Sequence, residues 1–255
     1  VRQYAHDMLE NAVARWGYKV LKLDFLYASC LAPGSGRYDL SMTRAEAMDL
    51  ALKSLRHAVG EEVYLIGCGC PLGSGIGIVD AMRVSADTGP TWYPTFPLPW
   101  WDNSTLPALR AAIRNTLTRS PISHRWWQND PDCLLVAPTT SLTLSEIKSA
   151  ATVVAMTSGS LLLSDDLNLL TEERLRIIQG IVPVTGSPAK VLDLHENKTG
   201  IPAVTYLRCI SSLKEVEELS HRLHPRGTLR VCDGVGEYSI VSLSNWNDET
   251  AVVAI

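Results

Sequence analysis

Three charged residues in apolar surroundings raise the question of chemistry first. Lys22 and Asp24 close the run Tyr18-Lys19-Val20-Leu21-Lys22-Leu23-Asp24-Phe25, and Asp87 closes Ala81-Met82-Arg83-Val84-Ser85-Ala86-Asp87. Val20, Leu21, Leu23 and Phe25 read as a parallel strand covered on both faces. Leaving Lys22 or Asp24 unpaired inside such a strand would be costly. The economical reading is a strand whose C-terminal end opens into a polar cleft, where parallel α/β folds place ligands. If both strands share one sheet, Asp24 and Asp87 face each other across that cleft. Two carboxylates about 5–5.5 Å apart suit a retaining glycosidase, one as nucleophile and the other as general acid, then base. Lys22 lies two residues before Asp24 and on the same side of the strand. There it would keep Asp24 ionised and hold a substrate hydroxyl. The competing reading is a pair of solvated aspartates at strand ends.

Other residues compete for attention. Gly67, Gly69, Gly73, Gly75 and Gly77 follow a strand-like run and precede Asp87, a loose imitation of a dinucleotide fingerprint. That fingerprint needs a helix opening directly after the glycines, and Pro71 and the short hop to a new strand argue against one. His221 and His224 have no Cys or carboxylate partners at ligand spacing, so a surface pair is expected rather than a metal site. Cys68-Gly69-Cys70 is too closely spaced for the usual zinc or redox motifs. Trp92, Trp100, Trp101, Trp126 and Trp127 crowd one region. Core packing accounts for some of them, and a sugar ring would stack on others. No cofactor is expected.

The elements that must position these groups follow from periodicity. Residues 2–16 read as a helix with Tyr4, Met8, Ala12 and Trp16 on one face, stopped by Gly17. Residues 18–25 form the first strand and 32–38 a loop. Thr43 and Glu46 form a capping box for a helix over 43–58 striped by Ala47, Leu50, Ala51, Leu55 and Ala58. Strands are expected at 62–68, 81–87, 133–136 and 160–166, with helices over 106–119, 143–157 and 171–180. Thr143 and Glu146 make a second capping box. Alternation of strand and helix means a parallel sheet with helical crossovers. Polar residues end each strand-like run, as in a (β/α) barrel site. Five strands are too few for a closed barrel, so three more are expected upstream of Val1. Beyond Pro183 the pattern turns β-rich at 201–209 and 228–255, with a helix over 211–223, as at the start of a small antiparallel domain.

Composition bounds the answer. With 46% hydrophobic residues over 255 positions the chain can bury a sizeable core. A net charge of −4 argues against nucleic acid, whose binders carry a basic face. No apolar run approaches membrane-spanning length. Six cysteines in a chain this long read as buried thiols rather than a disulfide framework. Asn103-Ser104-Thr105 and Asn197-Lys198-Thr199 match the glycosylation pattern and leave the compartment, cytoplasmic or secreted, open. A homo-oligomer is left open too.

Five motifs occur in order: Lys22-Leu23-Asp24, Cys68-Gly69-Cys70-Pro71-Leu72, Arg83-Val84-Ser85-Ala86-Asp87, Asn129-Asp130-Pro131-Asp132-Cys133 and Leu162-Leu163-Ser164-Asp165-Asp166-Leu167. Together, over roughly residues 10–185, the chain resembles the α-galactosidase (melibiase) clan of retaining glycoside hydrolases, nearest to glycoside hydrolase family 36. Ser242-Leu243-Ser244-Asn245-Trp246-Asn247-Asp248 resembles that family's C-terminal β-sandwich. The resemblance implies an α/β fold: residues 1–185 as the C-terminal part of a (β/α)8 TIM barrel, about strands 4–8, and residues 186–255 as the start of a β-sandwich domain. It implies Asp24 as nucleophile, Asp87 as acid/base, and Lys22, Arg83 and Asp132 as ligands of sugar hydroxyls. Cys68 would shape the pocket, and the partner would be an α-galactoside oligosaccharide or glycoconjugate. Asp87 would then start protonated and Asp24 charged, a division set by environment. Gly69 stands where some relatives carry glutamate, and Leu26 where many carry Asn or Cys. The exact sugar therefore stays open. So do two other readings, a galactosyl transferase of the raffinose-synthase type and an inactive carbohydrate-binding remnant.

Overall fold

The computed structural model describes residues 2–31, 39, 41–95, 105–182, 184, 186–195, 200–210 and 237–243. The expected loop at 32–38, Trp100, Trp101, Asn103, Asn197, the helix over 211–223, His221 and His224, and residues 244–255 lie outside them. No helix among the described residues is long and apolar enough to cross a membrane.

Four parallel strands lie side by side in chain order: β1 (Val20–Leu23), β2 (Tyr64–Gly67), β3 (Ala81–Arg83) and β4 (Gln128–Asp130). The register runs Leu21 to Leu65, Ile66 to Ala81 and Arg83 to Asp130. A second parallel pair joins β5 (Cys133–Leu134) to β6 (Leu162–Leu163). β4 and β5 are one strand broken in the middle. Pro131 offers no N–H to a ladder, and Asp132 sits in the left-handed region at φ 77°. The strand pairs with β3 before the break and with β6 after it. The series therefore holds five strand positions. The strand expected at 133–136 is present as β5, and the segment expected as its lead-in is strand as well; Gln128, Asn129 and Asp130 lack the apolar alternation that marks β structure in a sequence.

Crossovers connect them. α1 (Arg2–Glu10) continues into a π-helical turn, Asn11–Arg15, and stops at Gly17, whose φ is 76°. α2 (Arg44–Val59) and α4 (Leu144–Thr157) both start with complete capping boxes, Thr43 with Glu46 and Thr143 with Glu146. α3 (Leu109–Arg119) joins β3 to β4, and α5 (Glu172–Gln179) follows β6. Between β2 and β3 stands only a 3-10 turn, Leu72–Gly75, so no helix N-terminus follows the glycines and the dinucleotide reading is excluded.

One core packs Leu109, Ile113 and Leu117 of α3 against Leu134, Val136 and Ile147. Another gathers Leu9, Val59, Val63, Leu65, Met82 and Trp127. The buried stripes are rotated from those expected. Leu9 and Ala12, not Tyr4, Met8 and Trp16, face the core from the first helix, and α2 buries Met48, Leu52, Arg56 and Val59 while Leu50 is exposed. β1 also differs. Leu21 and Leu23 pack on the second core, but Val20 is 55% exposed and Phe25 65%. Exposure alternates along the strand, Val20 and Lys22 outward and Leu21 and Leu23 inward, so only one face is covered.

The last element is an antiparallel sheet, β7 (Lys190–Val191), β8 (Val204–Ile210) and β9 (Glu237–Leu243). It is not detached from the helices. Ala189 and Leu207 pack with Met156 of α4, and the Ala189 N–H donates to the Met156 carbonyl at 2.7 Å.

Candidate active site

The C-terminal ends of β1, β2, β3 and β4 bring their polar residues into one contiguous network. Asp24 follows β1, where the chain turns sharply: Phe25 takes φ 53°, left-handed for a residue with a side chain. The turn is clamped from the next strand. Cys68 N–H donates to Leu23 O at 2.8 Å, Leu26 N–H to Cys68 O at 3.3 Å and Tyr27 N–H to Gly69 O at 2.7 Å. Gly69 allows this approach. Its φ is +56°, and a Cβ there would stand 3.3 Å from the Phe25 Cα and N.

The clamp exposes the Asp24 carboxylate and gives it donors. The Phe25 N–H donates to Oδ1 at 2.7 Å. The Cys68 thiol supplies the larger effect, and together they hold the Asp24 carboxyl below its ordinary range, with smaller help from the charges of Lys22 and Arg83. The expectation that Lys22 keeps Asp24 ionised is thus corrected in rank. The Lys22 ammonium lies 3.5 Å from the carboxylate of Asp130, and neutral donors do most of the work at Asp24. Burial, reinforced by the bond to Asp24, pushes the Cys68 thiol up to about 11. It is a proton donor at neutral pH, not a thiolate.

Arg83, the last residue of β3, is the hub. Its side chain is 5% exposed. Its Nη2 reaches Asp87 at 2.7 Å and also pairs with Asp132, while Nη1 lies 4.0 Å from the Cys68 sulfur. The Nε is buried with no partner among the described residues. Asp132, in the break between β4 and β5, accepts the Thr88 N–H at 2.8 Å through the same Oδ2 that Arg83 uses. Its own N–H donates to Asp130 at 2.9 Å. Asp87 is 78% exposed in its side chain.

All six residues singled out from the sequence, Lys22, Asp24, Cys68, Arg83, Asp87 and Asp132, therefore belong to one network. Two further members, Asp130 and the main chain of Thr88, were not singled out. Asp130 stands two residues before Asp132, the spacing at which an Asp side chain accepts a main-chain N–H in a turn. Locating the strand at 133–136 hid that signal. Of the tryptophans, core packing accounts for two, as expected. Trp127 is buried and donates to Asn129, Trp92 packs on the first core, and Trp126 precedes β4 at the end remote from the network. Cys30, Cys68, Cys70 and Cys133 are free thiols.

No protein-family model matches the sequence. Solved structures do match. The α-galactosidase of Thermus thermophilus in complex with stachyose is 30% identical at a TM-score of 0.59, over 71% of this chain and 37% of that one. The same enzyme in complex with p-nitrophenyl α-D-galactopyranoside aligns at 29% identity and TM-score 0.61, covering 76% of this chain and 38% of that one. α-Galactosidase I of Mortierella vinacea, at 22% identity and TM-score 0.54 over 74% of this chain and 49% of that one, shares the fold. The chain thus spans less than half the length of each of these relatives. The fold, the order of the polar strand ends and these likenesses converge: the chain belongs to the α-galactosidase (melibiase) clan of glycoside hydrolases.

Proposed function

We propose that the full-length protein is a retaining glycoside hydrolase that releases terminal α-linked galactose from an oligosaccharide or glycoconjugate. Residues 1–185 are the C-terminal part of its (β/α)8 barrel, and residues 186–255 begin a β-sandwich domain. One observation carries the reading: polar residues from the C-terminal ends of β1 to β4 stand in one network, with Arg83 bound to Asp87 and Asp132 and Lys22 facing Asp130. Arg83 pairs with Asp87 at 2.7 Å and acts electrostatically on Asp24. The likeness to a Thermus thermophilus enzyme solved with α-galactosides supports the substrate class.

The Asp24 carboxylate attacks the anomeric carbon as the bond to the leaving oxygen breaks, and Asp87 gives that oxygen its proton. Asp87 then takes a proton from water, which attacks the same carbon and frees Asp24. The lowered proton affinity of Asp24 keeps it charged for attack. Lys22, Arg83 and the Asp132 carboxylate offer donors and acceptors for sugar hydroxyls, with Cys68 shaping the floor of the pocket. Donors fixed in place before substrate arrives need no reorganisation in the transition state.

The test is turnover of an aryl α-galactoside by the full-length protein and its Asp24→Asn variant. A loss of about 10³-fold or more is expected in the variant, as for removal of a covalent nucleophile. Unchanged turnover would overturn the reading. Adding an acceptor sugar and analysing products separates hydrolysis from transfer.

A further inference from the structure

We propose that Asp130 is a positioning residue of this site, fixing the Lys22 ammonium and the left-handed turn at Asp132 with one buried carboxylate. The inference rests on the reading of Lys22 and Asp132 as sugar-binding groups. Asp130 ends β4, and its side chain is 0% exposed. Burying a carboxylate is expensive, and an apolar residue of similar volume often serves stability as well or better. What Asp130 does with its charge is therefore informative. Oδ2 faces Lys22 Nζ at 3.5 Å, across the sheet from β4 to β1. Oδ1 accepts the Asp132 N–H at 2.9 Å. One side chain thus reaches two groups on elements separated by β2 and β3.

Each of the two needs such a hold. Lys22 sits at the end of a flexible four-carbon stem with several rotamers of similar energy. Its side chain is 36% exposed, so packing alone does not aim it. Asp132 holds φ 77°, a conformation that a side-chain acceptor on the chain before it stabilises. With Asp130 in place, Lys22 is held on the side of β1 that Asp24 shares, and the Asp132 carboxylate is presented to Arg83.

The test is a double-mutant cycle in the full-length protein. Asp130→Asn keeps an acceptor for the Asp132 N–H and removes the charge, and Lys22→Met removes the ammonium and keeps the stem. With an aryl α-galactoside, Asp130→Asn should raise KM about tenfold and change kcat less than about threefold; in the Lys22→Met background it should shift KM less than about twofold. Equal effects in both backgrounds, or no effect in the first, would overturn the proposal. Denaturant midpoints of the same four proteins give a readout independent of turnover. Lys22→Met strands a buried charge, so the double variant should be more stable than Lys22→Met alone. Additive losses there would also overturn the pairing. Absence of turnover by the wild type would instead remove the galactosidase reading, and the midpoints would still decide whether Asp130 and Lys22 act as a pair.

Discussion

Two buried arginines stand at opposite ends of the same sheet and are used in opposite ways. Arg56 lies under the N-terminal ends of β2 and β3. Its donors go to main-chain carbonyls, Ile78 at 2.9 Å, Gly60 at 3.1 Å and Val63 at 2.7 Å, and to Asp80 at 2.6 Å. Asp80 in turn accepts the Leu65 N–H at 2.7 Å. Arg83 lies at the C-terminal ends. It binds side chains, Asp87 and Asp132, and leaves a buried Nε unpartnered among the described residues. A polar cluster that closes on the backbone is finished as a structural part. One that closes on side chains, and leaves a buried Nε unpaired beside an exposed carboxylate, is not accounted for by support of the backbone alone.

Exchanging the two arginines' surroundings is not feasible, but removing each is. Arg83→Lys should lower kcat/KM about 100-fold or more, since a single ammonium cannot serve Asp87, Asp132 and a sugar hydroxyl from one planar fork. Arg56→Met should instead cost about 3 kcal/mol in unfolding free energy, because the buried Ile78 and Val63 carbonyls lose their donor. Its folded fraction should keep kcat/KM within about twofold. Kinetics and chemical denaturation on both variants measure the contrast. A large kinetic defect in Arg56→Met would erase the distinction between the two ends.

The glycines offer a finer version of the same comparison. Gly60 and Gly69 both hold positive φ, at +76° and +56°. A Cβ at Gly60 would meet nothing within 4 Å, whereas at Gly69 it would press on the Phe25 backbone that shapes the turn after Asp24. Gly60→Ala should cost only the backbone term, about 1–3 kcal/mol at φ 76° and ψ 174°, without touching turnover. Gly69→Ala should add to that a fall in kcat/KM of about tenfold, because small misplacement of a nucleophile is amplified in rate. Equal kinetics for the two variants would show that the Asp24 turn tolerates displacement.

How much of this could be read from residues alone depends on what kind of signal each part emits. The capped helices α2 and α4 were legible because Thr43 with Glu46 and Thr143 with Glu146 are local devices. Lys22, Asp24, Arg83 and Asp87 were legible because charges at the ends of apolar runs are anomalous wherever they occur, whereas Cys68 and Asp132 were singled out through the resemblance of their motifs. Three things were not. The stripe on α2 is rotated because Met48 and Arg56, which bury, look no different in sequence from residues that do not. The strand Gln128–Asp130 is polar because its side chains serve a hydrogen-bond network, so it lacks β alternation. And the partner of Lys22 could not be found from spacing, since Asp130 lies 108 positions away and only the sheet order brings it near.

The smallest expected effect concerns Cys68, the neutral donor that links the two carboxylates' surroundings. Its bond is the largest influence lowering the Asp24 carboxyl. Cys68→Ala should therefore move the acid limb of the kcat/KM profile to higher pH by less than about one unit. The sign follows from linkage. Asp24 ionises more readily in the folded state than in the unfolded chain, so its contribution to stability is present above the ordinary carboxylate range and is lost as pH falls below it. Cys68→Ala should weaken that acid dependence. The thiol itself has the opposite sense. Its folded value of about 11 exceeds the ordinary 9.0, so the stability it confers is whole below 9.0 and is lost as pH rises towards 11. Chemical denaturation of wild type and Cys68→Ala across that window should therefore converge at the alkaline end. Rapid alkylation of Cys68 at neutral pH would show a thiolate there, and a thiolate could not be the donor that Asp24 needs.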